Sequence, residues 1–367
     1  MNSLFRLYFI SLFLPAFSVL FLLIGLNVQN RIMWLPLGII FFLIYKHCTC
    51  SKVDLPILFL CSFFFIYCFV AVEHSWNVPM YVGYFLTFLL LFVTNIVIRD
   101  CRDGFLLFFK RFLLVNFAYV IFQLICLNLG FDELAMIHSN LPAQKAAEYT
   151  IPIFLVKPFY RYTGLFNESS PFAFYLSISF CFFGVFEECK RYKYLSLFLL
   201  LFSGAKFAYL FLLLHAFFFI KSKVVKLFAL LTLISISLLF IYYADDLILM
   251  TNGEVASIFA RFNSFGNYSS DINYWGLGLQ ESSEGKVSLD FFSILTSGFG
   301  YCGLVFIFIC LFSFYHLIQN RDKNYFCIPF FCGLMSSGSF LILQYSLLSY
   351  CLMYLHNNPI NNTIEYE

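Results

Sequence analysis

Residues 157–171 read KPFYRYTGLFNESSP, and the apolar run Phe172–Phe186 follows them directly. A polar stretch that begins near Phe131 ends at this junction, so the chain passes here from a water-exposed loop into lipid. The sequence therefore predicts that a membrane helix begins at this point. An arginine at such an interface stays solvated and still reaches a ligand held there. Arg161, with Glu168 beside it, is therefore a candidate for binding such a ligand.

The composition is that of a membrane protein. Of the 367 residues, 62% are hydrophobic and 11% are charged, whereas a soluble domain is nearer half apolar and a quarter charged. Apolar runs recur along the chain and leave no room for a separate soluble domain. This predicts an all-α polytopic bundle with a single integral membrane domain over residues 1–367. The formal net charge of +2 argues against a nucleic-acid partner, which calls for a concentrated basic face.

The 13 cysteines fall in or beside apolar runs, where cysteine acts as a small hydrophobic residue. The tightest cluster, His47-Cys48-Thr49-Cys50, has no second ligand pair at the spacing of a zinc site. The sequence therefore predicts neither a disulfide framework nor a metal site.

Short loops rich in Lys and Arg mark the inner side of a membrane. Three groups of basic residues, within 46–52, 99–111 and 190–193, are therefore predicted inside. Residues 73–77 and the polar loop 131–165 have no basic excess and are predicted outside. The first apolar run has no small-x-small cleavage site after it, so it is predicted to stay as a helix. With the N-terminus inside, the first predicted spans are near 7–26, 32–45, 55–72, 81–98, 112–129 and 171–186.

The apolar run 195–220 is the most constrained step of this topology. It is flanked by KRYK at 190–193 and KSKVVK at 221–226, and both basic flanks belong inside. One crossing cannot join two inside loops, so the run is predicted to turn back as two short helices, with the turn at Ser203-Gly204-Ala205-Lys206. Lys206 then points towards the outer face. The alternative is one long helix in which Lys206 is buried or reaches to the interface.

The C-terminal part adds a second long outer loop. Residues 228–243 are predicted to cross the membrane outward, and residues 291–318 to cross back. Between them, residues 244–290 form a loop with an excess of acidic residues. The uncharged run 326–355 is longer than one span, so it is either one tilted helix or a second broken hairpin. The predicted bundle has about 11 or 12 membrane helices, with long outer loops at about 131–170 and 244–290.

Three cationic side chains, Arg161, Lys206 and Arg261, are predicted on the outer face. Such a group suits a diphosphate, because an arginine holds two phosphate oxygens at once and a lysine adds a point charge. Glu168 is the carboxylate beside Arg161, and a turn at Gly164 lets the two face one site. Two other interpretations stay open: Arg161 and Glu168 form a structural salt bridge, and Arg261 is a solvated loop residue.

Several catalytic patterns do not occur in the sequence. HExxH, GxSxG and Walker patterns are absent, so zinc peptidase, serine hydrolase and nucleotide-driven activities lack support. The DXD-like metal pair of many nucleotide-sugar transferases is also absent. No cofactor is therefore expected.

Three stretches of the chain carry a pattern. RYTGLFNESSPFAFYL at 161–176 has the form Arg-x-x-Gly-x-Phe-x-Glu and enters an apolar run. LLLFSGAKFAYLFLLL at 199–214 has Ser and Lys at the turn of the predicted hairpin. WGLGLQ at 275–280, with TSGFGYCGL after it, is a glycine-rich entry to an apolar run after the second long loop. These stretches resemble the O-antigen polymerase and ligase family of bacterial envelopes, integral-membrane glycosyltransferases that use lipid-diphosphate-linked sugars. At the hairpin tip, Lys206 stands where the family commonly has Arg.

The resemblance implies a GT-C-like bundle, multi-pass in the bacterial inner membrane, that acts as an O-antigen polymerase. It would join oligosaccharide repeat units carried on undecaprenyl diphosphate at the periplasmic face. A sugar hydroxyl of one lipid-linked unit attacks the anomeric carbon at the reducing end of another chain, and the lipid diphosphate leaves. The implied partners are the lipid-linked oligosaccharide and the bilayer, and the resemblance also suggests a chain-length regulator protein.

The resemblance also implies roles for single residues. Arg161 and Arg261, helped by Lys206, would neutralise charge on the departing diphosphate. Glu168 would orient or deprotonate the incoming hydroxyl. The residues expected to bind substrate are Lys206, Tyr162, Asn167 and Trp275, although interfacial anchoring explains the two aromatic residues equally well.

Two alternatives to polymerase activity follow from the same residues. The ligase branch of the family has a histidine in its second outer loop, and residues 244–290 contain none, which favours polymerase. A carrier would move a lipid-linked glycan without chemistry and would use the same cationic residues as a binding site. Carriers more often have inverted repeats and polar residues near the bilayer midplane, whereas charge here gathers at one face.

Overall fold

The computed structural model describes residues 55–76, 78–79, 81–86, 88–89, 92, 102–136, 160–166, 169–220, 222–243, 274–276, 299–306, 308–309, 326, 328–329, 332, 351 and 354–355. The predicted spans 7–26 and 32–45 lie outside these residues, and so does most of the outer loop 244–290.

The described part of the chain is helical and contains no strand. Its α-helices with complete bounds are α1 Leu55–Glu73, α2 Arg102–Asn128, α3 Asp132–Ala135, α4 Ser169–Val185, α5 Lys190–Phe202, α6 Lys206–Phe219 and α7 Lys223–Tyr242. A 3-10 turn at Glu187–Cys189 joins α4 to α5. The predicted all-α class is confirmed for these residues.

The helix limits follow the apolar runs in α1 and α4, whereas α2, α5 and α7 begin earlier, in the charged flanks. α1 and α4 agree closely with the predicted spans 55–72 and 171–186. α2 begins at Arg102, well before the predicted span 112–129, because charge marks where a helix leaves lipid and does not end its backbone hydrogen bonding. Gly104–Asn128 is long and apolar enough to cross a membrane, and it is the one such segment among the described residues.

Helix α4 lies at the centre of the described helices. Every residue from 171 to 183 is buried, so α4 has neighbours on all sides. α2 packs against it in the opposite direction, with Phe105 against Phe182 and Phe112 against Tyr175. By contrast, most of the described side chains of α7 are exposed. Groups positioned by α4 are therefore held from several directions.

The apolar run 195–220 is broken at the predicted turn. α5 ends at Phe202 and α6 begins at Lys206. Gly204 between them has a φ of 61°, a backbone conformation that favours glycine. The turn itself is buried, with Ser203 at 0% and Ala205 at 2% exposed.

Ring contacts show that α5 and α6 run in opposite directions. The contacts are Lys110–Tyr192 and Phe117–Phe198 between α2 and α5, and Phe174–Phe207 and Phe180–Phe211 between α4 and α6. α5 therefore runs with α2, and α6 runs with α4, which is antiparallel to α2. The predicted hairpin is confirmed, and the alternative of one long helix is excluded.

Residues that the sequence assigns to one side of a membrane lie together in the fold. The ammonium of Lys110 lies 5.4 Å from the ring centroid of Tyr192, and both belong to segments predicted inside. On α1, near its end at residue 73, the Tyr67 hydroxyl donates to the Phe299 carbonyl at 2.9 Å and to the Trp275 carbonyl at 3.4 Å. Trp275 belongs to the loop predicted outside. Each of these contacts thus joins residues that the sequence assigns to the same side.

Most of the run 326–355 lies outside the described residues, so its two alternatives, one tilted helix and a second broken hairpin, both stay open.

Candidate functional site

Helix α2 carries two buried amide side chains, Asn116 and Gln123, which are 0% and 1% exposed. They are two helical turns apart and lie on one face. A buried amide is unfavourable unless it is hydrogen-bonded. Both amides bind the backbone of residues 160–166, which we call the arginine loop because it contains Arg161.

Gln123 holds the middle of the arginine loop. Its Oε1 atom accepts hydrogen bonds from the backbone N–H groups of Thr163 at 3.2 Å and Gly164 at 3.1 Å. Its Nε2 atom donates to Oγ1 of Thr163 at 2.9 Å and to the Ala135 carbonyl at 3.2 Å. Ala135 lies in α3, where the first predicted outer loop starts, and Thr163 lies near the end of that loop. One side chain therefore joins both ends.

Asn116 completes the docking. Its Oδ1 atom accepts from the backbone N–H of Leu165 at 3.0 Å, and its Nδ2 atom donates to the Phe112 carbonyl at 2.9 Å. The backbone N–H of Phe166 donates to the Thr163 carbonyl at 3.1 Å and closes a turn. All four backbone N–H groups from Thr163 to Phe166 are thus paired, so this part of the loop has one well-defined position.

Gly164 is required for this close approach, as the turn predicted there suggests. Its φ is 57°, where side chains other than that of glycine are strained. A Cβ atom at this position would lie 2.5 Å from Oδ1 of Asn116 and 2.8 Å from Cε2 of Phe172. Any side chain here would push the arginine loop away from α2 and α4.

Helix α3 closes the other side of the loop. The Tyr119 hydroxyl of α2 donates to the Ala135 carbonyl at 3.2 Å. The Tyr160 hydroxyl donates to Oδ1 of Asp132 at 3.4 Å. The residues on both sides of Arg161 are therefore connected to α2, one side directly and the other through α3.

Arg161 is the one charged residue of the arginine loop. It is half-buried, and its Nε atom lies in the interior. Tyr162 beside it is 8% exposed, and burial raises the pKa of its phenol, with a smaller effect from Tyr160. Tyr162 is thus packed into the loop, and its role in substrate binding stays a prediction.

The arginine loop and the hairpin lie against the same turn of α4. Phe166 packs on residues 172–175 with ring centroids 5.8 and 5.4 Å away, and Phe207 packs on the same turn at 5.6 Å. Lys206 opens α6 directly before Phe207. The structure therefore brings the loop of Arg161 and the start of the Lys206 helix to one end of α4.

Trp275 is held on α1, through its carbonyl and through an edge-on contact with the Tyr67 ring at 6.0 Å. Its side chain is 42% exposed and its neighbour Tyr274 is 78% exposed. An exposed indole suits either a sugar face or an interfacial anchor. The structure thus places Trp275 on α1, whereas the arginine loop lies on α2 and α4.

Three predicted site residues, Asn167, Glu168 and Arg261, lie outside the described residues, as does the side chain of Lys206. The pairing of Arg161 with Glu168 and the convergence with Arg261 therefore stay predictions.

The sequence contains one GxGxxG pattern, GFGYCG at 298–303, which has the spacing of dinucleotide-binding loops. That motif requires a strand before the glycines within a βαβ unit, whereas the pattern lies in an apolar run and the described part of the chain has no strand. It gives no support to nucleotide-driven chemistry.

The docking residues Asn116, Gln123 and Thr163 were not predicted. A signal for two of them is present in the sequence, because the predicted span 112–129 contains amides seven positions apart on one helical face. Polar side chains within membrane helices are costly and indicate a partner.

No protein-family model, no curated protein and no solved structure matches this chain. Among the described residues, no group of three His, Cys, Asp or Glu side chains could hold a metal ion.

Proposed function

We propose that this chain is a multi-pass membrane glycosyltransferase of the O-antigen polymerase type, acting on undecaprenyl-diphosphate-linked oligosaccharide at the periplasmic face of the bacterial inner membrane. The observation that carries the proposal is the position of Arg161. It lies on a loop locked by buried amides, at the same end of α4 as the start of the Lys206 helix. The high apolar content and the apolar helices support the membrane location.

In the proposed reaction, a hydroxyl oxygen of the incoming repeat unit forms a bond to the anomeric carbon of the growing chain. The bond between that carbon and the diphosphate oxygen breaks, and the electron pair leaves with the lipid diphosphate. The hydroxyl proton passes to the carboxylate of Glu168. Because the leaving group is already activated, the reaction needs no nucleotide.

Arg161 would bind the departing diphosphate. Its guanidinium offers a planar fork of donors to two phosphate oxygens, and Lys206 and Arg261 would add positive charge. Fixed donors stabilise the transition state because they need no reorganisation as charge develops, and one such donor is worth about 3 kcal/mol. The paired backbone of residues 163–166 supplies the rigid base that this role requires.

Purified protein in detergent, given synthetic undecaprenyl-diphosphate-linked repeat units, tests the proposal. We expect a ladder of longer lipid-linked glycans and the release of one undecaprenyl diphosphate for each unit joined. Transport has no meaning in detergent, so a carrier would give no ladder. A ligase would transfer glycan only when a separate acceptor is added. If folded protein extends none of the lipid-linked units, the proposal is wrong.

A further inference from the structure

Gln123 lies where the two ends of the first outer loop meet, and we propose that it is a positioning residue for Arg161. The inference rests on the proposed function, because it assumes that a reaction takes place at Arg161. It assigns to α2 a part in that reaction although Gln123 touches no substrate.

The hydrogen bonds of Gln123 use the full capacity of its amide. Two donors and two acceptor positions are available in a primary amide, and all four are engaged by Thr163, Gly164 and Ala135. Removing the amide would leave two buried backbone N–H groups of the arginine loop without an acceptor. Each such group is unfavourable in the interior, so the loop would leave its present position.

These contacts control Arg161 from both sides. Thr163 follows Arg161 by two residues and is bound directly. Tyr160 precedes it and is bound to Asp132 of α3, the helix whose Ala135 carbonyl accepts from Gln123. A displacement of a catalytic group by 1 Å lowers a rate by as much as about 100-fold. Loss of Gln123 should therefore slow the reaction even when the protein stays folded.

The test replaces Gln123 by Met, which keeps the length of the side chain and removes every hydrogen bond. Asn128→Leu is the matched control, because Asn128 lies on the same helix, is exposed, and donates only to the Leu124 carbonyl at 2.7 Å. Two properties of the full-length protein are measured in detergent. The first is tryptic cleavage of the bond after Arg161, detected by mass spectrometry, and the second is kcat and KM for chain extension.

In Gln123→Met we expect faster cleavage after Arg161 and a fall in kcat of about 10- to 100-fold, with a much smaller change in KM. Asn128→Leu should behave as the wild type. Gln123→Glu keeps oxygen acceptors for the two N–H groups, so it should restore protection of the bond and part of kcat. A residue that only stabilises the fold would not separate kcat from KM in this way.

Unchanged cleavage and unchanged kcat in folded Gln123→Met would overturn the inference. If Gln123→Met does not accumulate, Gln123→Glu decides: a protected bond with partial kcat supports the inference, and cleavage as fast as in denatured protein overturns it. If the wild type extends no glycan but cleavage responds as expected, Gln123 positions Arg161 and the proposed function fails. If glycan is extended equally well by wild type and Gln123→Met, the positioning role alone fails.

Discussion

The two ends of α4 are held by different kinds of contact. At the N-terminal end, buried amides of α2 hydrogen-bond the backbone of the arginine loop at 3.0 to 3.2 Å. At the C-terminal end, the ammonium of Lys193 lies 5.1 Å from the ring centroid of Phe180. Beside it, between α2 and α5, the ammonium of Lys110 lies 5.4 Å from the ring centroid of Tyr192. Hydrogen bonds to buried groups are directional and costly to lose, whereas cation–π contacts tolerate movement.

The proposed function accounts for this difference, because it requires accurate positioning at the N-terminal end of α4. The N-terminal end carries Arg161 and faces the start of the Lys206 helix, where we propose that a diphosphate binds. Basic residues cluster near the C-terminal end, as expected for the side of the membrane predicted inside. Changes to the residues that dock the arginine loop should therefore lower both stability and activity, and changes at the C-terminal end should affect neither strongly.

Gly164→Ala should have the largest effect. Strain at its positive φ and the contacts with Asn116 and Phe172 should together lower the free energy of unfolding by about 3 kcal/mol. Chemical denaturation in detergent measures this change. Gly130→Ala is the matched control, because Gly130 has a φ of 82° but nothing within 4 Å of a Cβ, and it should lose about 1 kcal/mol. Equal losses in the two variants would show that the close approach at Gly164 is unimportant.

Asn116→Leu should have the second-largest effect on stability. It leaves the half-buried N–H of Leu165 without its acceptor, which should lower the free energy of unfolding by about 2 kcal/mol. The exposed amide of Asn128 provides the comparison, and Asn128→Leu should change stability by less than about 0.5 kcal/mol. A neutral Asn116→Leu, measured by the same denaturation, would mean that the loop docks by packing alone.

Lys193→Met, at the other end of α4, should have the smallest effect. It removes the contact with the Phe180 ring and should cost about 0.5 to 1 kcal/mol. Lys193→Arg keeps a cation over the ring and should recover most of that loss. Chain extension should be unchanged in both variants. A large loss of activity in Lys193→Met would contradict the division between the two ends.

The hairpin of α5 and α6 was predictable because its signal is local. The basic residues on both sides of the run predict that its two ends lie on the same side of a membrane. Gly204 readily adopts the positive φ that the turn requires. The start of α2 was not predictable from the sequence. Arg102 and the charged residues shortly after it lie outside the apolar run, but the helix includes them.

The docking of the arginine loop was not predictable in detail. Its hydrogen bonds join residues about 40 positions apart, such as Gln123 and Thr163, and the sequence shows only that buried amides need partners. Which partner they take depends on how α2 and α4 pack. The sequence indicates Arg161 because it is a charged residue shortly before an apolar run. The structure adds the hydrogen-bonded loop that holds it.

The most direct test of the account is the rate of glycan extension by Arg161→Ala and Arg161→Lys, measured together with their unfolding in detergent. Arg191→Ala, which removes an exposed arginine near the other end of α4, is the control. We predict that Arg161→Ala remains folded and extends lipid-linked glycan at least about 100-fold more slowly. Arg161→Lys should recover part of the rate, because a point charge does not reproduce a bidentate phosphate contact, and Arg191→Ala should retain full activity. Extension by Arg161→Ala at the wild-type rate would contradict the account, and so would loss of activity in Arg161→Ala through failure to fold alone.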